Sequence, residues 1–228
     1  ANFGVNCDED HIYYSLQTLT EHLDKALELF STVILKPHLS EEAFQRESSR
    51  ISTRILQQKD YPDDAADSLF VFQLMSKISP YAYPVNGLMN QVKNISNEDI
   101  KNFYSRNVCI ETLSIAATGD ISSDELQLKL NDLFADLKSS TTLNAPEYYG
   151  NEVKKKLFIV NFDDAHQTEI RIGCKSPGRN EYNIFSRQLL NTILGGQYSS
   201  RINQNLRERK GFTYGASSVF NYWKNGAF

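Results

Sequence analysis

No stretch of eighteen apolar residues occurs in the 228-residue chain, so the sequence encodes no membrane-spanning helix. The longest apolar-leaning run, 26–35 (ALELFSTVIL), reads as one amphipathic helix. Cysteine is scarce. Cys7, Cys109 and Cys174 lie far apart without a C-x-x-C pair, and an odd number closes no disulfide framework. They read as buried thiols acting as small apolar side chains. Nor is there a basic stripe: 24 Lys and Arg stand against 28 Asp and Glu, a formal net charge of -4. That balance lacks the electrostatic footprint of a nucleic-acid binder. The four histidines, His11, His22, His38 and His166, include no pair spaced three or four apart, so no helical turn offers two imidazoles to one metal ion. The sequence opens at Ala1 without a signal peptide, which leaves the compartment open.

A hydrophobic content of 40% is enough to bury a core. Residues 10–19 are β-prone and aromatic and read as a strand. A helix follows with Leu23, Leu27, Phe30 and Ile34 on one stripe, ended by Pro37. Ser40 caps a second helix carrying Phe44, Ile51 and Ile55; Asp60-Tyr61-Pro62 breaks it, and 63–77 resumes as a third. After a loop over 79–94, Ser96 and Asp99 form a capping box for a helix bearing Ile100, Phe103 and Tyr104. Residues 109–118 read as a strand closed by Gly119-Asp120, and Ser122-x-x-Glu125 opens a helix with Leu126, Leu130, Leu133, Phe134 and Leu137 inward.

Composition then shifts. Residues 138–152 have no apolar period and collect Ser, Thr, Asn, Pro and Gly, the mark of a linker. Beyond it, 156–162 is a short apolar strand, and 168–174 alternates with Ile170, Ile172 and Cys174 on one face. Helices over 181–194 and 198–209 are punctuated by Gly195-Gly196 and Lys210-Gly211, and 212–220 is a last strand. The pattern predicts an α+β architecture of two units, 1–138 and 153–228, joined by 139–152. The second unit is too short to close its own core, and a stop just after a strand reads as a cut.

The most specific stretch is 194–217, LGGQYSSRINQNLRERKGFTYGAS. It resembles the second domain of the zinc peptidases related to pitrilysin, insulin-degrading enzyme and mitochondrial processing peptidase. Similar blocks run along nearly the whole chain, among them ALELFSTVILKPHLSEEAFQRE, KDYPDDAADSLF, NISNEDIKNFYSRN and AATGDISSDELQLKLNDLF. The resemblance implies a clamshell of related sheet-and-helix domains, both incomplete in this chain. It implies that 1–138 is the later part of the first domain and 153–228 the first part of the second, substrate-binding one. It also implies that a substrate-gripping arginine precedes a tyrosine by seven residues, which here are Arg207 and Tyr214. By itself Arg207 would be one more cation at a helix C-terminus, where the dipole favours it, and Tyr214 an ordinary strand aromatic. The surrounding motif gives the pair its functional reading.

The departures from the family pattern matter more than the match. The family's zinc helix carries H-x-x-E-H, and this chain has no such motif; by register it would lie about one helix-strand unit before Ala1. The third ligand in the family is a glutamate seven residues after another glutamate. Glu47 matches the earlier one, so the ligand position is Arg54, whose guanidinium has no lone pair to donate. The expectation is a non-catalytic portion or subunit with no catalytic residue, no metal ligand and no cofactor of its own. It would bind extended peptide or unfolded protein through Arg207 and Tyr214, and supply transition-state donors to a metal-bearing half or partner in a homo- or hetero-dimer. An active zinc endopeptidase with its H-x-x-E-H upstream is the first alternative, and a scaffold like the respiratory-chain core subunits the second. Bacterial relatives of this short type are often exported, which points to a periplasmic or cell-envelope setting.

Overall fold

The computed structural model describes residues 1–58, 60–75, 77–139, 156–163, 165–223 and 226–228. It is mixed helix and sheet, as the sequence predicts, and divides into two compact units. One comprises Ala1–Tyr61 and Pro84–Ala145, the other Pro62–Tyr83 and Pro146–Phe228. A helical segment early in the sequence thus belongs with the second unit. The expected linker, 139–152, lies outside the described residues from 140 onward.

The first unit opens with a hairpin. Strand β1 (Asn2–Cys7) pairs antiparallel with β2 (Ile12–Gln17), in a register running from Asn2 opposite Gln17 to Cys7 opposite Ile12. Asp8 closes the turn: its carboxylate accepts from the backbone N–H groups of Asp10 (2.8 Å) and His11 (2.7 Å) and from the Tyr13 hydroxyl (2.8 Å). Partial burial works to raise the Asp8 pKa, but these donors outweigh it and hold the carboxyl below its ordinary value.

Helices α1 (Leu23–Leu35) and α2 (Glu41–Gln58) follow, separated by Pro37. The Ala43 N–H donates to Ser40 Oγ at 3.2 Å, the expected cap. Beyond α3 (Pro62–Leu74) and the short α4 (Met89–Val92), α5 (Asn97–Asn107) carries the complete Ser96–Asp99 capping box. Helix α6 (Ser123–Leu133) has half of one. Ser122 Oγ accepts from the Glu125 N–H, whereas the Glu125 carboxylate turns to Lys129 at 3.5 Å. Lys129 also reaches Asp24 at 2.6 Å, tying α6 to α1. Ala26, Leu27, Ile34, Ile55, Val92, Cys109 and Phe134 are buried in this unit.

The second unit is centred on Leu74, Met75, Tyr81, Ala82 and Trp223, with Phe70, Val71, Phe72, Tyr83 and Phe228 against them. The Tyr81 and Trp223 rings stack at 4.8 Å. Strands β3 (Tyr222–Trp223) and β4 (Gly226–Ala227) pair there, after helices α7 (Ile184–Leu194) and α8 (Arg201–Asn203). Among the described residues, the predicted strands 109–118, 156–162, 168–174 and 212–220 join no ladder. Their residues have strand propensity, but a strand needs a neighbour to accept its hydrogen bonds. Several of their side chains stand in solvent, Leu157 and Ile172 at 83% and 93% exposure.

Candidate functional site

The segment between α7 and β3 carries the residues the sequence singles out. Helix α7 ends at Leu194, and the chain then passes close to the later segment: the Ser218 N–H donates to Gly195 O at 3.2 Å. A Cβ on Gly195 would sit 2.5 Å from Ser218 N, and one on Gly196 2.9 Å from Asn191 Nδ2. The double glycine therefore does more than end a helix; it admits a neighbouring backbone. Ser218 Oγ also donates to Asn191 Oδ1 at 2.7 Å, fixing the same contact through side chains.

Ser200 then starts α8, which widens after Asn203 into a π-turn over Gln204–Arg209. The Phe212 N–H reaches back to Leu206 O at 2.9 Å, and Gly211 takes φ 64° to make that return. Asn203 is buried at 8% exposure, and its Oδ1 accepts the Ala216 N–H at 3.1 Å. One buried amide thus locks the helix to the segment that carries Tyr214.

Arg207 lies in the wide turn, its guanidinium over the Tyr198 ring at 4.6 Å. Tyr214 is 88% exposed, and its hydroxyl has no hydrogen-bond partner among the described residues. Among the described residues no hydrogen bond joins the two side chains; Tyr214 stands in solvent, and Arg207 is partly buried against Tyr198 and Glu208. Sequence reasoning missed Asn191, Tyr198, Asn203 and Ser218. A polar helix residue bonded to a partner thirteen positions away leaves no local signal.

The metal side is different. Glu47 on α2 pairs with Arg50 at 2.6 Å and Arg46 at 3.8 Å, and Arg54 two turns later is exposed. Among the described residues no three His, Cys, Asp or Glu side chains gather into a metal-holding group. His11 sits near Asp8 at 3.4 Å and His22 near Glu21 at 3.6 Å. A zinc ion does not fit these residues: a carboxylate engaged by two guanidiniums, followed by a third arginine, presents net positive charge to a cation.

Comparison with known families decides the relationship. Residues 94–228 match the model of the peptidase M16 inactive domain, and residues 1–82 that of insulinase, peptidase family M16. The chain belongs to peptidase family M16. An uncharacterized zinc protease of Mycobacterium leprae is 26% identical over 92% of this chain and 48% of its own length. A probable inactive metalloprotease of Bacillus subtilis is likewise 26% identical over 92%, and over 50% of its own length. The chain spans about half the length of the curated M16 relatives it matches. A crystal structure of a peptidase M16 inactive domain from Pseudomonas fluorescens superposes with a TM-score of 0.83 at 22% identity, covering 99% of this chain and 55% of that one. This agreement confirms the M16 fold, and residues 94–228 are an inactive-domain portion of it. No described helix is long and apolar enough to cross a membrane.

Proposed function

We propose that this chain is a non-catalytic, peptide-binding part of an M16 protein, with Arg207 and Tyr214 as its substrate-facing donors. The observation that carries this reading is the corner itself. A guanidinium whose Nη edge is unengaged among the described residues and an exposed phenol sit on a backbone fixed by the Gly195–Ser218 and Asn203–Ala216 hydrogen bonds. Peptide hydrolysis builds negative charge on the carbonyl oxygen, and donors already held in place stabilise that charge without reorganising. A guanidinium and a phenol hydroxyl suit that task. Cleavage itself belongs to a metal-bearing half or partner, most simply a related subunit in a homo- or hetero-dimer, because the α2 residues do not fit zinc. The same reading gives the chain no cofactor of its own, and places it in the periplasm or cell envelope, which fractionation of the native source tests.

The deciding experiment uses the complex with its metal-bearing partner, isolated by co-purification. Tyr214→Phe is expected to lower turnover by about 10²-fold, as loss of one oxyanion donor does, with little change in peptide affinity. Arg207→Ala is expected to lower both, since a guanidinium also holds a ground-state carbonyl. Turnover unchanged to within about twofold in Tyr214→Phe, with the complex intact, removes the assignment and leaves a scaffold.

A further inference from the structure

The Arg207 guanidinium does not hang free. Its Cζ lies 4.6 Å from the centre of the Tyr198 ring, within the range of a cation–π contact. Its Nε is 3.4 Å from Glu208 Oε1, and that oxygen accepts the Tyr198 hydroxyl at 2.9 Å. The three side chains form a closed triangle: ring face to guanidinium, guanidinium to carboxylate, carboxylate to phenol. The Nη1 and Nη2 groups of Arg207 have no acceptor among the described residues, and the side chain is 37% exposed. What the triangle holds is thus the back of the guanidinium, and what it leaves open is the forked edge that grips a planar acceptor two atoms wide. Arg207 has many rotamers in a solvated turn, and holding one of them lowers the entropy lost when a ligand is bound.

We infer that Tyr198 is a positioning residue that, together with Glu208, holds Arg207 with its Nη edge turned to an incoming peptide carbonyl or carboxylate. This rests on the reading of Arg207 as a peptide-binding residue. Tyr198 itself is not part of the machinery that touches substrate. Its ring contributes the flat face, and its hydroxyl keeps Glu208 from rotating away from the Arg207 Nε. A leucine at 198 keeps an apolar side chain but removes both links. Phenylalanine keeps the face and loses only the hydroxyl.

The test has two arms, run on the whole protein. In the first, the Arg207 Nε–Hε resonance is followed by NMR. It is expected upfield of the other arginine side chains, displaced by the Tyr198 ring current, and to return to their position in Tyr198→Leu but not in Tyr198→Phe. In the second, affinity for fluorescein-labelled, unfolded β-casein is measured by anisotropy. Tyr198→Leu is expected to weaken binding by about threefold to tenfold, the range of a partly exposed cation–π contact, with Tyr198→Phe restoring most of it. An Arg207 signal that stays in place in Tyr198→Leu overturns the inference. So does casein affinity that falls in Arg207→Ala but not in Tyr198→Leu, which leaves the peptide-binding reading standing. If Arg207→Ala itself binds casein as the unaltered protein does, the peptide-binding reading fails, and the inference falls with it. Tyr198 is 62% exposed, so neither substitution opens a core cavity.

Discussion

Arg54 on α2 and Arg207 in the π-turn occupy two positions at which the family resemblance assigns a role, and the structure surrounds them differently. Arg54 is an exposed side chain on a regular helix, with no side-chain hydrogen bond or ion pair among the described residues. Arg207 sits inside a corner built by a glycine pair, a buried asparagine, a serine–asparagine bond and a left-handed glycine. Packing puts little constraint on a side chain at an exposed helix position such as that of Arg54. The corner around Arg207 is a structural joint. Its backbone is held by the Gly195–Ser218 and Asn203–Ala216 hydrogen bonds, in which neither Arg207 nor Tyr214 takes part.

If this contrast is right, substitutions at the joint should unfold the second unit while substitutions on α2 pass unnoticed. Gly195→Val should have the largest effect, about 3 kcal/mol or more, because any Cβ meets Ser218 N and two more carbons must fit beside it. Urea unfolding followed by Trp223 fluorescence reads this directly, and a loss below about 1 kcal/mol would mean that the close approach is easily relieved. Asn203→Ala comes next, at about 2 kcal/mol, since it strands the Ala216 N–H in a part-buried site. Ser96→Ala, in the first unit, should cost about 1 kcal/mol, the usual value of an N-cap, and shows what a single local bond is worth in this protein.

The same cap gives a pH test. Hydrogen bonds from the Ser96 hydroxyl and backbone N–H lower the Asp99 pKa. Asp99 therefore stabilises the fold fully above its unfolded value of about 3.9, and that contribution disappears as pH falls through the lower folded value. Asp99→Asn should flatten this acid limb in thermal melts run from about pH 5 downward through the carboxylate range. Arg54→Glu should do least: a change within about 0.5 kcal/mol and no gain of zinc by metal analysis after dialysis, since one carboxylate without two imidazoles makes no site. One tightly held zinc per Arg54→Glu chain would undo the contrast.

The local features were legible in the sequence. Pro37 and Pro62 mark the helix boundaries of α1 and α3, and Ser40, Ser96 and Ser122 all cap as their spacing predicts. The Glu125 half of its box was not, because Lys129 competes for the same carboxylate. Strand β1 went unread: its sequence NFGVNC has two asparagines and a glycine, and it becomes a strand through the ladder β2 offers. The opposite error occurs at 156–162 and 168–174, where strong strand residues find no ladder among the described residues. Both errors have one cause, that pairing is a property of two segments and a window of sequence shows one. At the corner, the motif singles out Arg207 and Tyr214 as candidates, whereas Tyr198 and Asn203 are drawn in only by contacts with residues ten and thirteen positions away.

The exposed segments of the second unit also bear on how the protein behaves in a test tube. KLFIVNF, with Leu157 and Ile159 at 83% and 85% exposure, is a seven-residue window of high β-propensity with a single charge, at Lys156. Such a window is a template for intermolecular strand addition. Concentrated solutions should therefore turn cloudy on storage, faster when salt screens the -4 net charge. Ile159→Lys, which adds a like charge to every copy along a growing stack, should keep them clear.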